Sequence, residues 1–222
     1  MITVRNGFFL KALFFFVTLS FSFLSSTTFA KQFEQGVHFD VIEGKPSNEP
    51  VLTEYFSYYC RHCFNFEPAL KSLKTKLPND MRFKKVHVDF YPGKDKSVQQ
   101  ALTRALIVAE HLKTDEAINK AVFNYIHTQR ATFKSEQDIV NLFILHGADG
   151  DNVTKLMTSF PVKGKANAMK KAQEALSRKH VLTGVPALIV NDKYKINLSR
   201  IDGNNFEGEL SELIQYLSKS PK

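Results

Sequence analysis

Cys60 and Cys63 are the residues best suited to chemistry, and they are the only cysteines among the 222 residues. An apolar segment rich in β-formers, residues 51–56, precedes them. The apolar residues that follow recur on one face of a helix: Phe64, Phe66, Leu70, Leu73 and Leu77. The sequence therefore predicts that the Cys-x-x-Cys motif lies where a buried strand ends and a helix begins.

A thiol at the start of a helix faces unpaired backbone N–H groups and the positive end of the helix dipole, so its thiolate is favoured. The thiolate is the species that attacks and leaves in disulfide exchange. A Cys60 pKa of about 5.5 would stabilise the reduced form by about 2 kcal/mol at pH 7, which shifts the reduction potential by about 45 mV toward the oxidising side. Arg61 and His62, which separate the two cysteines, favour the thiolate in the same way. The motif thus indicates a redox-active disulfide.

Two structural explanations of the motif are alternatives. A Cys-x-x-Cys pair can supply half of a zinc site, but such a site needs four ligands, and the chain has no second cysteine pair. A static disulfide would close a very short loop, so it would remove little entropy from the unfolded chain. Redox chemistry explains the motif better than either, and we expect no metal site.

Residues 1–30 have the pattern of a secretory signal peptide. Arg5 and Lys11 precede or flank an uncharged, phenylalanine-rich run over residues 12–24, and small residues follow up to Ala30. The run is shorter than the ~20 residues that span a bilayer, although an uncleaved anchor is an alternative. A cleaved signal predicts an exported protein that meets oxidising conditions, where a dithiol motif can persist as a disulfide.

The formal net charge of +8 at pH 7 is spread over lysine-rich segments. Few aromatic residues lie between these lysines, so we interpret the charge as solvated surface and expect no nucleic-acid partner. The histidines outside the motif show no metal-ligand spacing and are interpreted as ordinary: His38, His87, His111, His127, His146 and His180.

Strands and helices alternate around the motif before the pattern becomes wholly helical. The first predicted elements are a weak strand over 37–42, a buried strand over 51–58, a helix over 61–76 and a strand over 83–90. Apolar residues then recur at helical spacing in five successive segments, up to about residue 180. Thr114 is placed as one helix N-cap, and Ser135 with Asp138 as a capping box. The pattern predicts a helical block inserted between two halves of an α/β fold.

The α/β pattern resumes at Gly184-Val185-Pro186. The predicted elements that follow are a strand over 187–190, a turn at 191–192, a strand over 193–198 and a last helix over about 205–218. Proline is tolerated at the beginning of a strand, and a cis bond is rare even before proline. The residues alone therefore favour a trans Val185–Pro186 bond.

Taken together, these pieces resemble the DsbA-type periplasmic thiol:disulfide interchange proteins of the thioredoxin superfamily. The likeness spans about residues 31–219, and its most specific pieces are Phe56-Ser57-Tyr58-Tyr59-Cys60, His62-Cys63, Phe66-Glu67, Lys85-Val86-His87-Val88, Gly184-Val185-Pro186-Ala187 and Val190-Asn191. The resemblance implies an α/β thioredoxin fold, in which a central mixed sheet is flanked by helices and carries an inserted helical domain. Residues 31–93 and 181–222 would form the two halves of the thioredoxin-like domain, and residues 94–180 the insertion.

The resemblance also implies roles for individual residues. Cys60 would be the exposed nucleophile and Cys63 its buried partner, and His62 would stabilise the Cys60 thiolate. Val185–Pro186 would be cis beside the disulfide and would bind an extended substrate segment. Three charged residues would tune the buried environment of the site: Glu54, Glu67 and Lys85.

Arg61 departs from the family, whose usual dipeptide between the cysteines is Pro-His. Arginine restores a backbone N–H that proline lacks, and it adds a charge. We expect Cys60 to stay strongly acidic and the protein to stay an oxidant. We also expect a changed preference for substrate or oxidase partner, because the dipeptide lies on the contact surface.

The implied function is donation of the Cys60–Cys63 disulfide to unfolded exported proteins that carry free thiols. No cofactor other than this disulfide is expected. Reoxidation would need a membrane quinone-linked oxidase of the DsbB type, and the location would be the periplasm. Two alternatives differ in class: a reductase or isomerase on the same fold, and a non-catalytic periplasmic client-binding module with a structural disulfide.

Overall fold

Five strands form one mixed sheet in the computed structural model, which describes residues 33–220 together with Met1. The predicted signal peptide over residues 1–30 therefore lies outside the described residues, apart from Met1. The strands are β1 (Phe39–Val41), β2 (Val51–Phe56), β3 (Arg82–His87), β4 (Ala187–Val190) and β5 (Tyr194–Ile196). Their order in the sheet is β1-β5-β4-β2-β3, and β2 runs parallel to β3 but antiparallel to β4.

Strand β2 lies between β3 and β4, and all six of its residues are buried. This explains why apolar side chains occupy both of its faces instead of alternating with exposed polar ones, and its two polar residues, Thr53 and Glu54, are buried as well. Leu52 belongs to one core cluster, with residues of α1 and the last helix, whereas Phe56 belongs to a second cluster with residues of the helical block. The strand thus joins both cores just before the two cysteines.

Seven helices accompany the sheet in the described part of the chain. They are α1 (Arg61–Lys74), α2 (Lys96–His111), α3 (Asp115–His127), α4 (Glu136–Leu145), α5 (Gly150–Thr158), α6 (Phe160–Arg178) and α7 (Phe206–Lys219). Helices α2–α6 follow one another between β3 and β4, as the change of period predicts. Helix α7 packs against α1 and β4. The last helix of the chain thus contacts the helix that begins at the two cysteines. None of the helices within residues 33–220 is long and apolar enough to span a membrane.

The helix boundaries depend on local caps that the sequence predicts only in part. The capping box of α4 is confirmed, because the Ser135 hydroxyl accepts from the Asp138 N–H and the Asp138 carboxylate accepts from the Ser135 N–H. Thr114 occupies the N-cap of α3 without a side-chain capping bond. Its hydroxyl is turned back toward the end of α2, 3.5 Å from the Ala109 carbonyl oxygen.

Four of the five strands are shorter than predicted, since only β4 has the predicted bounds. The hairpin turn is as tight as expected. Strand β3 ends at His87 because the Asp89 N–H donates to the side chain of Gln173 on α6, 3.0 Å away, and not to a neighbouring strand. In the turn between β4 and β5, Asn191 and Asp192 both have positive φ, of 55° and 54°. Aspartate is less suited than glycine to this conformation, yet the turn closes with a bond from the Lys193 N–H to the Val190 carbonyl.

Candidate active site

Cys60 is the N-cap of helix α1, as the sequence predicts. Strand β2 ends at Phe56, and a bond of 3.0 Å from the Cys60 N–H to the Ser57 carbonyl closes the intervening turn. The backbone of Cys60 is extended, with φ −82° and ψ 114°, and its sulfur accepts the Cys63 N–H at 3.0 Å. The reactive sulfur thus receives a backbone donor that the helix cannot satisfy internally.

Both cysteines are free thiols in the structure. The pKa of Cys60 is lowered and the pKa of Cys63 is raised. The Cys63 thiol donates to the Cys60 sulfur, and this bond, with the backbone N–H groups of Cys63 and His62, lowers the pKa of Cys60 from its usual 9.0 to about 7 against the opposing effect of burial. Burial raises the pKa of Cys63 far above its usual range, and the bond to Cys60 adds to the rise. Above about pH 7 the reduced site therefore holds mainly a Cys60 thiolate beside a neutral Cys63 thiol.

The Val185–Pro186 peptide bond is cis and lies beside Cys60. This agrees with the family resemblance and corrects the trans bond that the residues alone favour. The Cys60 Sγ lies 3.4 Å from the Val185 carbonyl oxygen, to which it donates when Cys60 is a protonated thiol. The site thus places the Cys60 sulfur next to the backbone of the segment that leads into β4.

The expected exposure of Cys60 is wrong for this structure, because the residue is only 2% exposed. The Val185 carbonyl covers the sulfur, and Cys60 belongs to the same core cluster as its neighbour Tyr59. Cys63 is fully buried, as expected.

Glu54, Lys85 and Glu67 form a charged group beneath the site, as the resemblance implies. The Lys85 Nζ lies 2.9 Å from the Glu54 Oε2 and 2.5 Å from the Glu67 Oε1, and it sits 4.4 Å from the centre of the Phe56 ring. Glu54 is completely buried, and burial raises the pKa of its carboxyl although Lys85 opposes the rise. Burial alone would lower the pKa of Lys85, but the two carboxylates outweigh it and raise that pKa. The lysine is therefore a permanent cation between two acids.

The two residues between the cysteines are both exposed, but they make different contacts. The His62 side chain is exposed, and it is the His62 backbone N–H that favours the Cys60 thiolate. Arg61 is also exposed, and its Nη1 donates to the carbonyl oxygen of His127, the last residue of α3, at 3.2 Å. The Arg61 guanidinium carbon lies 5.3 Å from the centre of the Phe64 ring. Arg61 thus contacts the helical block as well as its own helix.

His127 is a site residue that sequence reasoning missed. Its ring stacks on Phe64, with centroids 5.1 Å apart, and its Nε2 lies 2.8 Å from the carbonyl oxygen of Tyr58. The pKa of His127 is lowered, mainly by burial and further by the nearby charges of Arg61 and Lys94. No local pattern distinguishes His127 from the other histidines, because its partners are more than sixty positions away in the chain.

Two further buried polar groups support the turn before Cys60. The Tyr58 hydroxyl donates to the Asn119 side chain of α3. His87, at the end of β3, lies with its Nδ1 2.8 Å from the Thr103 hydroxyl, and burial lowers the pKa of its ring from 6.5 to about 3. His87 is thus a neutral core histidine, which agrees with its lack of any metal-ligand spacing in the sequence. Within residues 33–220 no cluster of His, Cys, Asp and Glu side chains could hold a metal ion.

Comparison with known proteins gives the site a family. The model of the DSBA-like thioredoxin domain matches residues 51–215. The thiol:disulfide interchange protein DsbA of Escherichia coli K12 is 31% identical over 202 residues, which cover 88% of this chain and 93% of that protein. The DsbA of Yersinia pestis is 31% identical over 194 residues, which cover 85% and 89%.

Solved structures agree in fold. A crystal structure of the DsbA disulfide interchange protein from Klebsiella pneumoniae matches with a TM-score of 0.75 and 27% identity, over 86% of this chain and all of that one. A Proteus mirabilis DsbA with a non-covalently bound peptide matches with a TM-score of 0.74 and 24% identity, over 85% of this chain and all of that one. The chain belongs to the DsbA-like thioredoxin family and is a thiol-disulfide oxidoreductase of the DsbA type, and neither alternative function is favoured.

Proposed function

We propose that the protein donates a Cys60–Cys63 disulfide to exported proteins with free thiols. The observation that carries this proposal is the Cys60 sulfur at the N-cap of α1, where the Cys63 thiol and two backbone N–H groups lower its pKa to about 7. A sulfur held in this way is a good leaving group, because its thiolate is stabilised only after the disulfide is broken.

The proposed reaction has two exchange steps. A client thiolate attacks the Cys60 sulfur, a bond between client and Cys60 forms, and the Cys63 sulfur leaves. Cys63 takes up a proton, since burial keeps its pKa far above neutral. A second client thiolate then attacks the client sulfur of the mixed disulfide, and Cys60 leaves as the thiolate. Two client thiols lose two electrons and form a disulfide, while the enzyme disulfide gains these electrons.

The lowered pKa of Cys60 sets the size of this driving force. With a folded pKa of about 7 and the usual 9.0, the thiolate stabilises the reduced form by about 0.4 kcal/mol at pH 7 and about 1.4 kcal/mol at pH 8. These energies correspond to about 10 mV and about 30 mV on a two-electron couple. At neutral pH this is less than the shift of about 45 mV that the sequence suggested, so the bias toward donation grows with pH.

The proposal extends to location and partners. We place the protein in the periplasm after cleavage of residues 1–30, with unfolded exported proteins as its clients. A membrane quinone-linked oxidase of the DsbB type would reoxidise it. The relatives named DsbA support these proposals. The cis Val185–Pro186 segment would pair with an extended client strand beside the sulfur, and the exposed dipeptide at 61–62 would touch the same client. The proposed enzyme uses no cofactor other than its own disulfide.

Two measurements test the function: the equilibrium of the protein with a glutathione redox buffer, and its reaction with a dithiol peptide. Freshly isolated protein should be oxidised, should be reduced by a stoichiometric dithiol peptide, and should leave that peptide with a disulfide. A Cys60→Ser variant should lose this activity. Isolation in the reduced form with a preference for reducing a disulfide peptide would support the reductase alternative, and full activity of the serine variant would support the binding module.

A further inference from the structure

Two exposed cations lie near the active-site turn, and each is positioned over an aromatic ring. The Arg61 guanidinium lies 5.3 Å from the centre of the Phe64 ring, and the Lys94 Nζ lies 5.2 Å from the centre of the Tyr59 ring. Tyr59 and Arg61 are the neighbours of Cys60 in the chain, and both cationic side chains are exposed. Both charges also act on the ring of His127, so they lie close to the same point on the surface.

Arg61 is anchored more firmly than an exposed arginine usually is. One of its five N–H groups donates to the His127 carbonyl, and the side chain rests on Phe64. The remaining donors form a planar fork that matches a carboxylate. Because the fork is already held in place, a carboxylate that binds it does not have to order a flexible side chain.

Neither cation has an acidic partner within residues 33–220, where the ion pairs involve other residues. Asp95, the residue after Lys94, is a carboxylate that acts on Tyr59. Asp95 is the N-cap of α2, where its Oδ1 accepts from the Ser97 hydroxyl at 2.5 Å and from the Val98 N–H at 3.0 Å. Its carboxylate is therefore bonded to its own helix, and in the described part of the chain the surface that carries Arg61 and Lys94 has no acidic partner for either cation.

We infer that Arg61 and Lys94 select clients in which acidic residues flank the attacking cysteine. In an extended segment the side chains two positions before and after the client cysteine share its face, about 6–7 Å away, so a client that places its cysteine on Cys60 turns these side chains toward the surface that carries both cations. This inference rests on the proposed function and narrows its substrate class to acidic protein segments. Arg61 and Lys94 would thus be specificity-determining residues.

Paired dithiol peptides test the preference. One peptide carries Glu two positions before and two positions after its attacking cysteine, and the other carries Gln at the same positions, so shape is kept and charge is lost. Oxidised enzyme is mixed with each peptide and the rate of peptide oxidation is measured at low and high salt. The Glu peptide should react about fivefold faster at low salt, the size that two exposed ion pairs supply, and high salt should largely remove the difference.

Variants identify the cations that are responsible. Arg61→Gln and Lys94→Gln should each reduce the preference, and the double variant should abolish it. Lys45→Gln is the matched control, because Lys45 is exposed in the loop before β2, about 20 Å away at the opposite end of that strand. Since both peptides are compared on one enzyme sample, the ratio of rates does not depend on how much of a variant is folded.

Three outcomes would overturn the inference. If both peptides are oxidised at equal rates by the unchanged protein, the client preference is absent while the proposed function stands. If Lys45→Gln lowers the ratio as much as Arg61→Gln does, the overall charge is responsible. If neither peptide is oxidised, the proposed function fails and the preference fails with it.

Discussion

The reduced protein should become more stable as the pH rises, and Cys60 should account for that gain. The pKa of Cys60 is lowered in the folded state, so its contribution is fully present above the usual 9.0 and is lost as the pH falls through about 7. From these two values the contribution is below about 0.1 kcal/mol at pH 6, about 1.4 kcal/mol at pH 8 and about 2.3 kcal/mol at pH 9.

Cys60→Ser isolates this contribution. Serine is a good N-cap and can accept the Cys63 N–H as the cysteine sulfur does, but it has no charge to lose or gain in this range. Groups that titrate elsewhere, among them His127 and Glu54, are present in both proteins and largely cancel in the comparison. The difference between the two reduced proteins therefore follows the titration of one sulfur.

Urea unfolding at a series of pH values, under reducing conditions, measures both proteins. The difference in the free energy of unfolding should grow by about 2 kcal/mol between pH 6 and pH 9, and thiolate absorbance should titrate with a midpoint near pH 7. A difference that stays flat with pH, or an absorbance midpoint near 9, would show that the helix start does not hold the sulfur as an anion.

Three further changes test the groups around the site. Lys85→Met should lower the free energy of unfolding by about 3–5 kcal/mol at pH 7, because it leaves Glu54 buried without a cation. The loss should be smaller at pH 5, since a carboxyl with a raised pKa contributes its stability below that pKa, and an equal loss at both pH values would contradict the pairing. His87→Gln should remove a decline of about 2 kcal/mol between pH 7 and pH 5, because the pKa of buried His87 is about 3 and its stability is lost as the pH falls below 6.5; urea unfolding at the two pH values checks this. Ser135→Ala should lower Tm by about 2–4 °C through loss of the α4 cap and leave disulfide exchange unchanged, as melting and peptide oxidation would show.

Local patterns predict the order of strands and helices in this chain because burial and helical spacing are expressed within short windows. Strand β4, for example, is an apolar run of four residues, and the structure gives the same bounds. Boundaries that depend on distant partners are less predictable, since β3 ends where Asp89 binds Gln173, 84 positions later in the chain. The Thr114 cap shows the same limit, because its hydroxyl interacts with the preceding helix.

The residues of the site also differ in how far the sequence predicts their positions. The Cys60 position follows from adjacent residues, because strand, motif and helix are continuous in the chain. The charged group of Glu54, Glu67 and Lys85 follows from resemblance, and the structure brings the three together. The contact of Arg61 with His127 follows neither from the local sequence nor from the family resemblance, because it joins two helices that no local pattern predicts to be in contact. The part of the site that is particular to this chain is therefore the part that required the structure.

The burial of Cys60 and its acidity have one cause. The donors that lower its pKa, the Cys63 thiol and the N–H groups of Cys63 and His62, surround the sulfur closely enough to exclude water from it. Burial alone would raise the pKa, so these donors act against the desolvation that their own packing creates. A disulfide sulfur carries no charge and gains little from them, whereas the Cys60 thiolate gains their full effect. The same donors therefore favour release of the Cys60 thiolate from a mixed disulfide.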